Sequence, residues 1–280
     1  MAVNLAAKYE KKVDERFKLK SVTEAAVNRD YDWTGVDTIK VYSIPTVGMN
    51  DYKRMGKDRY GTANELDNTV QTMTLTRDRS FTFTIDKANN QDTQGVMQAG
   101  KALARQIDEV IVPEIDMYRI ATMSSAAVAN GMTDSGAVDK TNAYEAILTG
   151  SEKMDEKKVP QGGRLLYVTP AFYNLIKLDP SFIKSTEIAQ KMLINGQVGE
   201  IDGMRVIKVP SSYFPANTPF LIVHPVATVA AQKLEDYKTH DNPPGINGWL
   251  VEGRKRYDAF VLDNKKDALY VHQTSASGGE

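Results

Sequence analysis

The stretch that most limits what this chain can become is Thr69–Asp86, followed closely by Asp92–Ser125. In the first part Met73, Leu75, Phe81, Phe83 and Ile85 hold odd positions, while Thr72, Thr74, Thr76, Ser80, Thr82 and Thr84 hold even ones. Successive side chains of a strand point to opposite faces, so the alternation predicts one long strand with an apolar and a polar face. Arg77 and Arg79 interrupt the apolar face, which therefore has to meet polar atoms or water midway. At roughly 3.3 Å per residue the segment reaches about 60 Å, about three times an ordinary strand. A ribbon of that length does not fit wholly inside a compact domain and is expected to project.

The second part carries helical periodicity. Val96, Ala99, Leu103, Ile107, Val110, Ile111, Ile115, Tyr118 and Ala121 recur at spacings of three and four and make one apolar stripe. Asp92 or Thr93 is placed to cap the start, because a short side-chain oxygen there accepts from free backbone N–H groups. At 1.5 Å per residue the rod is roughly 50 Å long. Pro113 lies inside it, removes a donor and crowds the preceding turn, so a kink or break is expected there.

Upstream, residues 2–20 read as a helix in which Leu5, Tyr9, Val13 and Phe17 form a narrow stripe among many charges. So thin a stripe is marginal alone and needs a partner surface, either the chain's own domain or another subunit. Val22–Trp33 is a polar passage, and Thr38–Val47 a strand with Ile39 and Val41 on one face. Asn50–Asn68 sets Lys53, Arg54, Lys57 and Arg59 against Asp51 and Asp58, among Gly56, Gly61, Tyr52 and Tyr60. It reads as a solvated loop or as the tip of a two-stranded excursion, Thr38–Val47 out and Thr69–Asp86 back. An isolated two-stranded ribbon is marginal in water, so a projecting one implies that something lies against it.

Downstream, Ala126–Lys140 reads as a linker and Asn142–Lys157 as a helix, with Asn142 and Glu145 as a capping box and Tyr144, Ile147, Leu148 and Met154 buried. Leu165–Val168 is a short buried strand. Thr169 caps a helix starting at Pro170, with Phe172, Leu175 and Ile176 inward. Thr186–Ile194 reads as another helix, closed by Asn195-Gly196. Gly203–Val209 and Phe220–His224 are strands, Ala230–Tyr237 is extended, and His240–Gly248 is an irregular loop. Trp249–Tyr257 leads into a hairpin, Asp258–Leu262 out and Ala268–Gln273 back around Asp263–Asp267, and Thr274–Glu280 is a polar tail.

Composition closes several routes. The 280 residues are 41% hydrophobic and 25% charged, as in a soluble globular protein of one large or about two ordinary domains. Thirty-five basic and 36 acidic side chains nearly cancel, which gives no global case for a nucleic-acid or membrane surface. There is no cysteine, hence no disulfide or thiolate metal site. No run approaches the length of a membrane span, and the start lacks the apolar core of a signal peptide. The catalytic search returns nothing: no nucleophile elbow, no phosphate loop, and no ligand spacing among His224, His240 and His272. Asp86 with Asp92, and Asp263 with Asp267, read as cap or turn residues rather than cation ligands. No catalytic, cofactor or metal residue is assigned.

The order of parts then gives a resemblance: an arm, a long two-stranded excursion with a charged tip, a long helix, a mixed region and a closing hairpin. With the wording Phe81-Thr-Phe-Thr-Ile-Asp86, Leu165-Leu-Tyr-Val-Thr-Pro170 and Val251-Glu-Gly-Arg-Lys-Arg-Tyr-Asp-Ala-Phe260, the chain resembles the major capsid proteins of tailed DNA phages, the Hong Kong ninety-seven type coat fold. The resemblance implies an α+β fold with residues 1–36 as N-terminal arm and 37–90 as the extended E-loop. Residues 91–162 with 249–280 form the peripheral domain with its spine helix, and 163–248 the axial domain.

The same resemblance implies a non-enzymatic coat protein in the virion, assembled in the host cytoplasm. Its partners are copies of itself in hexamers and pentamers, a separate scaffolding protein, a portal, and packaged double-stranded DNA without sequence-specific contacts, with no membrane and no cofactor. The contact candidates are Leu5, Tyr9, Val13, Phe17, Lys53, Arg54, Lys57, Arg59, Arg77 and Arg79. An encapsulin-type compartment of the same fold is the alternative, and an α/β enzyme with an unrecognised site a third reading.

Overall fold

A six-stranded sheet assembled from distant parts of the chain carries the main core. The computed structural model describes residues 21–33, 36–63, 65–92, 98–185 and 199–274. In chain order the strands and helices are β1 (Thr38–Ser43), β2 (Thr69–Thr74), β3 (Arg77–Asp86), α1 (Lys87–Asp92), α2 (Ala99–Gln106), α3 (Val112–Ala129), β4 (Thr133–Asp134), α4 (Ala143–Glu156), β5 (Leu165–Val168), α5 (Pro170–Leu178), α6 (Pro180–Ser185), β6 (Glu200–Ile201), β7 (Met204–Lys208), β8 (Phe220–Val223), β9 (Thr228–Asp241), β10 (Gly248–Val261) and β11 (Leu269–His272). The large sheet runs β4-β11-β8-β5-β7-β6, a second runs β3-β10-β9, and β1 pairs β2 in a separate ribbon.

Strands β5, β8 and β11 are buried along their whole length. β5 and β8 are four-residue apolar runs, as a strand covered on both faces should be, while β11 ends in a buried histidine. Helices α3 and α4 contact β11, and Gly150 lets α4 come close: a Cβ there would lie 2.6 Å from the Tyr270 ring. Thr169 caps α5 as expected, its hydroxyl accepting from the Phe172 amide at 3.3 Å, and Phe172 stacks on Phe220 with ring centroids 4.7 Å apart. β4 and β11, from stretches assigned by sequence to the peripheral domain, share this sheet and core with strands from 163–248.

Several expectations are corrected. The single strand over Thr69–Asp86 is two strands in two sheets: β2 pairs β1 and β3 pairs β10, with Leu75 and Thr76 between them. Among the described residues the two arms of the excursion form a strand ladder over Thr38–Ser43 and Thr69–Thr74. The described part of the long helix runs from Ala99 to Ala129, so Ala126–Ala129 is helix rather than linker. Its expected start at Asp92 or Thr93 is not seen: Asp92 closes α1, which Asp86 caps by accepting from the amides of Ala88 and Asn89, and Thr93 lies outside the described residues. The break at Pro113 takes the form of a π turn over Ile107–Ile111, where the Val112 amide bonds to the Ile107 carbonyl and Pro113 follows at the second position of α3. A widened turn just ahead of the ring gives it room without the bond it cannot make.

The capping box at Asn142 does not form. Its Oδ1 accepts from the Asp139 amide, and the buried Asp179 caps α4 instead, with Oδ2 accepting from the Tyr144 amide while Oδ1 accepts from Ser181. Leu148 is 37% exposed rather than buried. The closing hairpin is also reassigned. Asp258–Leu262 belongs chiefly to the 14-residue β10, which pairs β9, whereas β11 departs to lie beside β8 and β4. β9 extends to Asp241, so the loop expected from His240 is shorter. The helix expected over Thr186–Ile194 lies outside the described residues.

Candidate assembly surfaces

The ribbon of β1 and β2 stands on a small second core made by Trp33, Met73, Leu75, Val229, Ala231 and Leu262, with Ile39 and Val41 packed against it. Trp33 stacks on Phe260 at 5.4 Å. Polar ties surround this base. Gln71 donates to the Val261 carbonyl at 2.8 Å and accepts from the Asp263 amide at 3.0 Å. Asp37 receives Lys233 and Arg256. The Lys233 hydrogen bond, followed by the Arg256 charge, holds its carboxyl below the usual carboxylate range.

At the corner between β2 and β3 the buried Asp258 gathers four donors. The Thr76 amide and hydroxyl both lie 2.8 Å from Oδ2, and the Tyr118 hydroxyl at 2.6 Å and the Ala259 amide at 2.8 Å serve Oδ1. This explains the split strand. The Thr76 N–H, which a continuous ladder would take, is held by a carboxylate, and the chain turns from one sheet to another. Burial, then the bond to Asp258, raises the Tyr118 pKa.

Beyond the base the excursion is open. Tyr42, Ile44, Val47, Met49, Tyr52, Met55, Tyr60 and Leu66 are exposed, Met55 at 86%. Among the described residues most exposed large apolar side chains lie between Val36 and Val70. The tip is nevertheless shaped: the Lys53 amide bonds to the Arg59 carbonyl at 3.0 Å, Tyr52 meets Tyr60 edge-on at 5.0 Å, and Gly56, Asp58 and Gly61 take positive φ. Lys53, Arg54, Lys57 and Arg59 are all exposed on it.

Arg77 and Arg79 sit elsewhere, against their own spine helix. The Arg77 guanidinium lies 4.1 Å above the Tyr118 ring, and Arg79 pairs with Glu114 at 2.8 Å. They line the polar middle of the strand face that the sequence anticipated. Leu5, Tyr9, Val13 and Phe17 lie outside the described residues. The chain that follows them is pinned to α3: Asp116 accepts from the Ser21 hydroxyl, the Val22 amide and the Thr23 hydroxyl, and Arg119 donates to Thr23 and Glu24. Sequence reasoning passed over this anchor, although a buried Asp and Arg three residues apart on a helix mark a face that must meet polar partners.

The histidines have local roles. His224 accepts from the Val226 amide and meets the Gly162 carbonyl, and His240 lies 3.3 Å from Glu252. Among the described residues no three His, Asp or Glu side chains gather as a metal group, and no helix is long and apolar enough to cross a membrane.

The base is stapled to its own domain, and it carries an excursion whose apolar and basic side chains are exposed among the described residues. The profile of the phage capsid protein family matches residues 67–271, and the chain belongs to that family. No curated protein sequence matches the chain. Solved structures similar to it include one from Mycobacterium phage Che8, with TM-score 0.71, 14% identity, and 95% of this chain and 96% of that one covered. The capsid structure of cyanophage P-SCSP1u has TM-score 0.76 and 13% identity over 97% and 93%. The mature capsid of bacteriophage PhiM1 has TM-score 0.65 and 13% identity over 97% and 92%. The fold is therefore the α+β phage capsid fold, with the expected long helix and a hairpin that pairs over Thr38–Ser43 and Thr69–Thr74.

Proposed function

We propose that this coat protein forms the icosahedral shell of a tailed phage, in hexamers and pentamers around double-stranded DNA, and that the excursion over Val36–Val70 lies on a neighbouring copy. The observation that carries this is the exposed apolar excursion on a stapled base. Burying side chains such as Ile44, Val47, Met49 and Met55 on a neighbour is worth about 1.5–3 kcal/mol each, which a free subunit forgoes. In this reading residues 1–36 are an arm, 37–90 the extended loop, 91–162 with 249–280 the peripheral domain and 163–248 the axial domain. Leu5, Tyr9, Val13, Phe17 and the tip cations Lys53, Arg54, Lys57 and Arg59 serve as contact residues. Arg77 and Arg79 take part through the loop root. A scaffolding protein and a portal complete the assembly in the host cytoplasm, and DNA is enclosed without base-specific contacts. No enzymatic step is assigned.

The test is electron microscopy of the purified protein over a concentration series, beside a variant lacking Asp51–Tyr60. The full chain is expected to form rings or shells with nuclease-protected DNA in particles from infected cells. The deletion should abolish shells while the thermal unfolding of the subunit stays unchanged. Normal shells from the deletion, or equal loss of folding and assembly, would overturn the role given to the excursion.

A further inference from the structure

Outside Val36–Val70 the exposed large apolar side chains among the described residues are Val110, Met117, Val128, Leu148 and Leu178. Three of these five lie along the spine helix: Val110 is 45% exposed, Met117 37% and Val128 39%. Met117 and Val128 are eleven residues apart in α3, close to three turns of 3.6, so they share one face. Ala121 and Ser125, both small and neither buried, lie beside that line. Val110 stands in the π turn that precedes α3.

A helix ordinarily turns its apolar stripe to its own core. In α3 that duty falls to the opposite side, where Ile115, Ile120, Met123 and Ala127 are buried. The exposed line is a second ridge, and from Val110 to Val128 it runs roughly 27 Å at 1.5 Å per residue. At the Val110 end it borders an opening whose walls include Phe81, Ile111, Tyr237 and Tyr257.

Charge indicates what covers the ridge. Between Gln106 and Tyr118 the chain has four acids, Asp108, Glu109, Glu114 and Asp116, and no lysine or arginine. Asp116 is turned inward to the arm root, and Arg79 offsets Glu114. Asp108 and Glu109 give the π-turn end of the ridge its negative sign. The tip of the excursion has the opposite sign, since Asp51–Tyr60 carries four cations against two acids. It shares the apolar character, with Met49 and Met55 standing out from the fold. Unbranched thioether side chains of this kind adapt to an irregular apolar surface.

Both surfaces belong to one chain, and both are exposed in it. A contact between two different patches of identical copies runs head to tail, and it makes a ring when its rotation closes. We propose that the ridge of Val110, Met117 and Val128 receives the excursion of a second copy, with the basic tip at the acidic π-turn end. The proposal rests on the excursion being a contact element, and it names the surface that element meets.

The chain has no cysteine, so a pair of introduced thiols reports the contact directly. Particles assembled from Met55→Cys with Val110→Cys are treated with a flexible bis-maleimide and run on a denaturing gel. A ladder of linked subunits is expected. None is expected from Met55→Cys alone, or from Met55→Cys with Leu148→Cys, whose second thiol lies on α4. Links in the α4 pair but not in the spine pair overturn the ridge and leave the excursion a contact element. No links in either pair overturn it as well. Met117→Asp with Val128→Asp tests the ridge without thiols. It should keep the melting temperature of the subunit and abolish shells in electron micrographs, and normal shells from it overturn the proposal. Should this variant lose its fold, the cross-link decides. Normal shells from the deletion of Asp51–Tyr60 would strike instead the underlying reading of the excursion.

Discussion

Replacing Asp258 by Asn separates the ribbon root from the rest of the fold by one atom. The carboxylate accepts two donors at each oxygen, and two of the four are backbone N–H groups, Thr76 at Oδ2 and Ala259 at Oδ1. An asparagine has one acceptor oxygen and one NH2. The Tyr118 and Thr76 hydroxyls can rotate and accept, but a backbone N–H cannot. In either amide orientation one N–H therefore faces a donor in a site 4% exposed. An orphaned buried donor costs about 1–3 kcal/mol, which in a chain of this size lowers the melting temperature by roughly 2–4 °C per kcal/mol.

The location of the loss is more informative than its total, and hydrogen exchange with mass spectrometry reads it. Amides of β2 and the Leu75–Thr76 corner should exchange about 10–100-fold faster, since about 1.4 kcal/mol is a factor of ten. β5 and β8 should keep their protection. Unchanged exchange at the corner, or acceleration spread equally through the six-stranded sheet, would refute the idea that Asp258 is a local staple.

Gly253 sits between Phe81 and Tyr237 in register, and a Cβ there would lie 2.2 Å from the Phe81 ring. Gly253→Ala should therefore lose about 1–3 kcal/mol by overpacking, seen as a lower unfolding midpoint. Arg164 is 2% exposed and spreads its donors over the carbonyls of Pro160 and Val159, Asp155 and Ser151. Arg164→Lys cannot reach them from one nitrogen, and a loss of about 3–5 kcal/mol is expected in the same assay. Burial, then the charge and hydrogen bond of Glu114, pushes the Tyr257 pKa up to about 12. A raised folded pKa means stability complete below the unfolded value of about 10 and lost as the pH rises towards 12. Melting temperatures from pH 9 to 12 should accordingly fall less steeply in Tyr257→Phe. Leu5→Asp with Phe17→Asp should leave subunit melting intact and abolish shells in electron micrographs.

What the sequence disclosed was local. The four-residue runs Leu165–Val168 and Phe220–Val223, the Thr169-Pro170 cap and the alternation through Phe81, Phe83 and Ile85 were readable because neighbours in sequence determine them. The break at Thr76 was not, because its cause, Asp258, lies 182 residues away. The cap of α4 failed for the same reason: Asp179 reaches the Tyr144 amide from another helix. β11 looked like the return of a hairpin because proximity in sequence favours that pairing, whereas its apolar faces are satisfied only between β8 and β4. At the surfaces the basic tip was legible from composition. The destinations of Arg77 and Arg79 were not, since a cation in a strand does not reveal whether its partner belongs to its own chain or another.

The position of β11 in the central sheet bears on how the subunit is made. It lies between β4 and β8, yet it is the last of the sheet's six strands to leave the ribosome. Until residue 272 has been synthesised, β8 keeps an open edge, β4 has no neighbour, and α3 and α4 lack the strand they cover. Domains fold as units once their sequence is available, so this core closes only after translation has passed its last strand. A nascent or prematurely terminated chain would then lack the finished sheet. The order of strands thus makes a complete six-stranded sheet conditional on translation having run through β11.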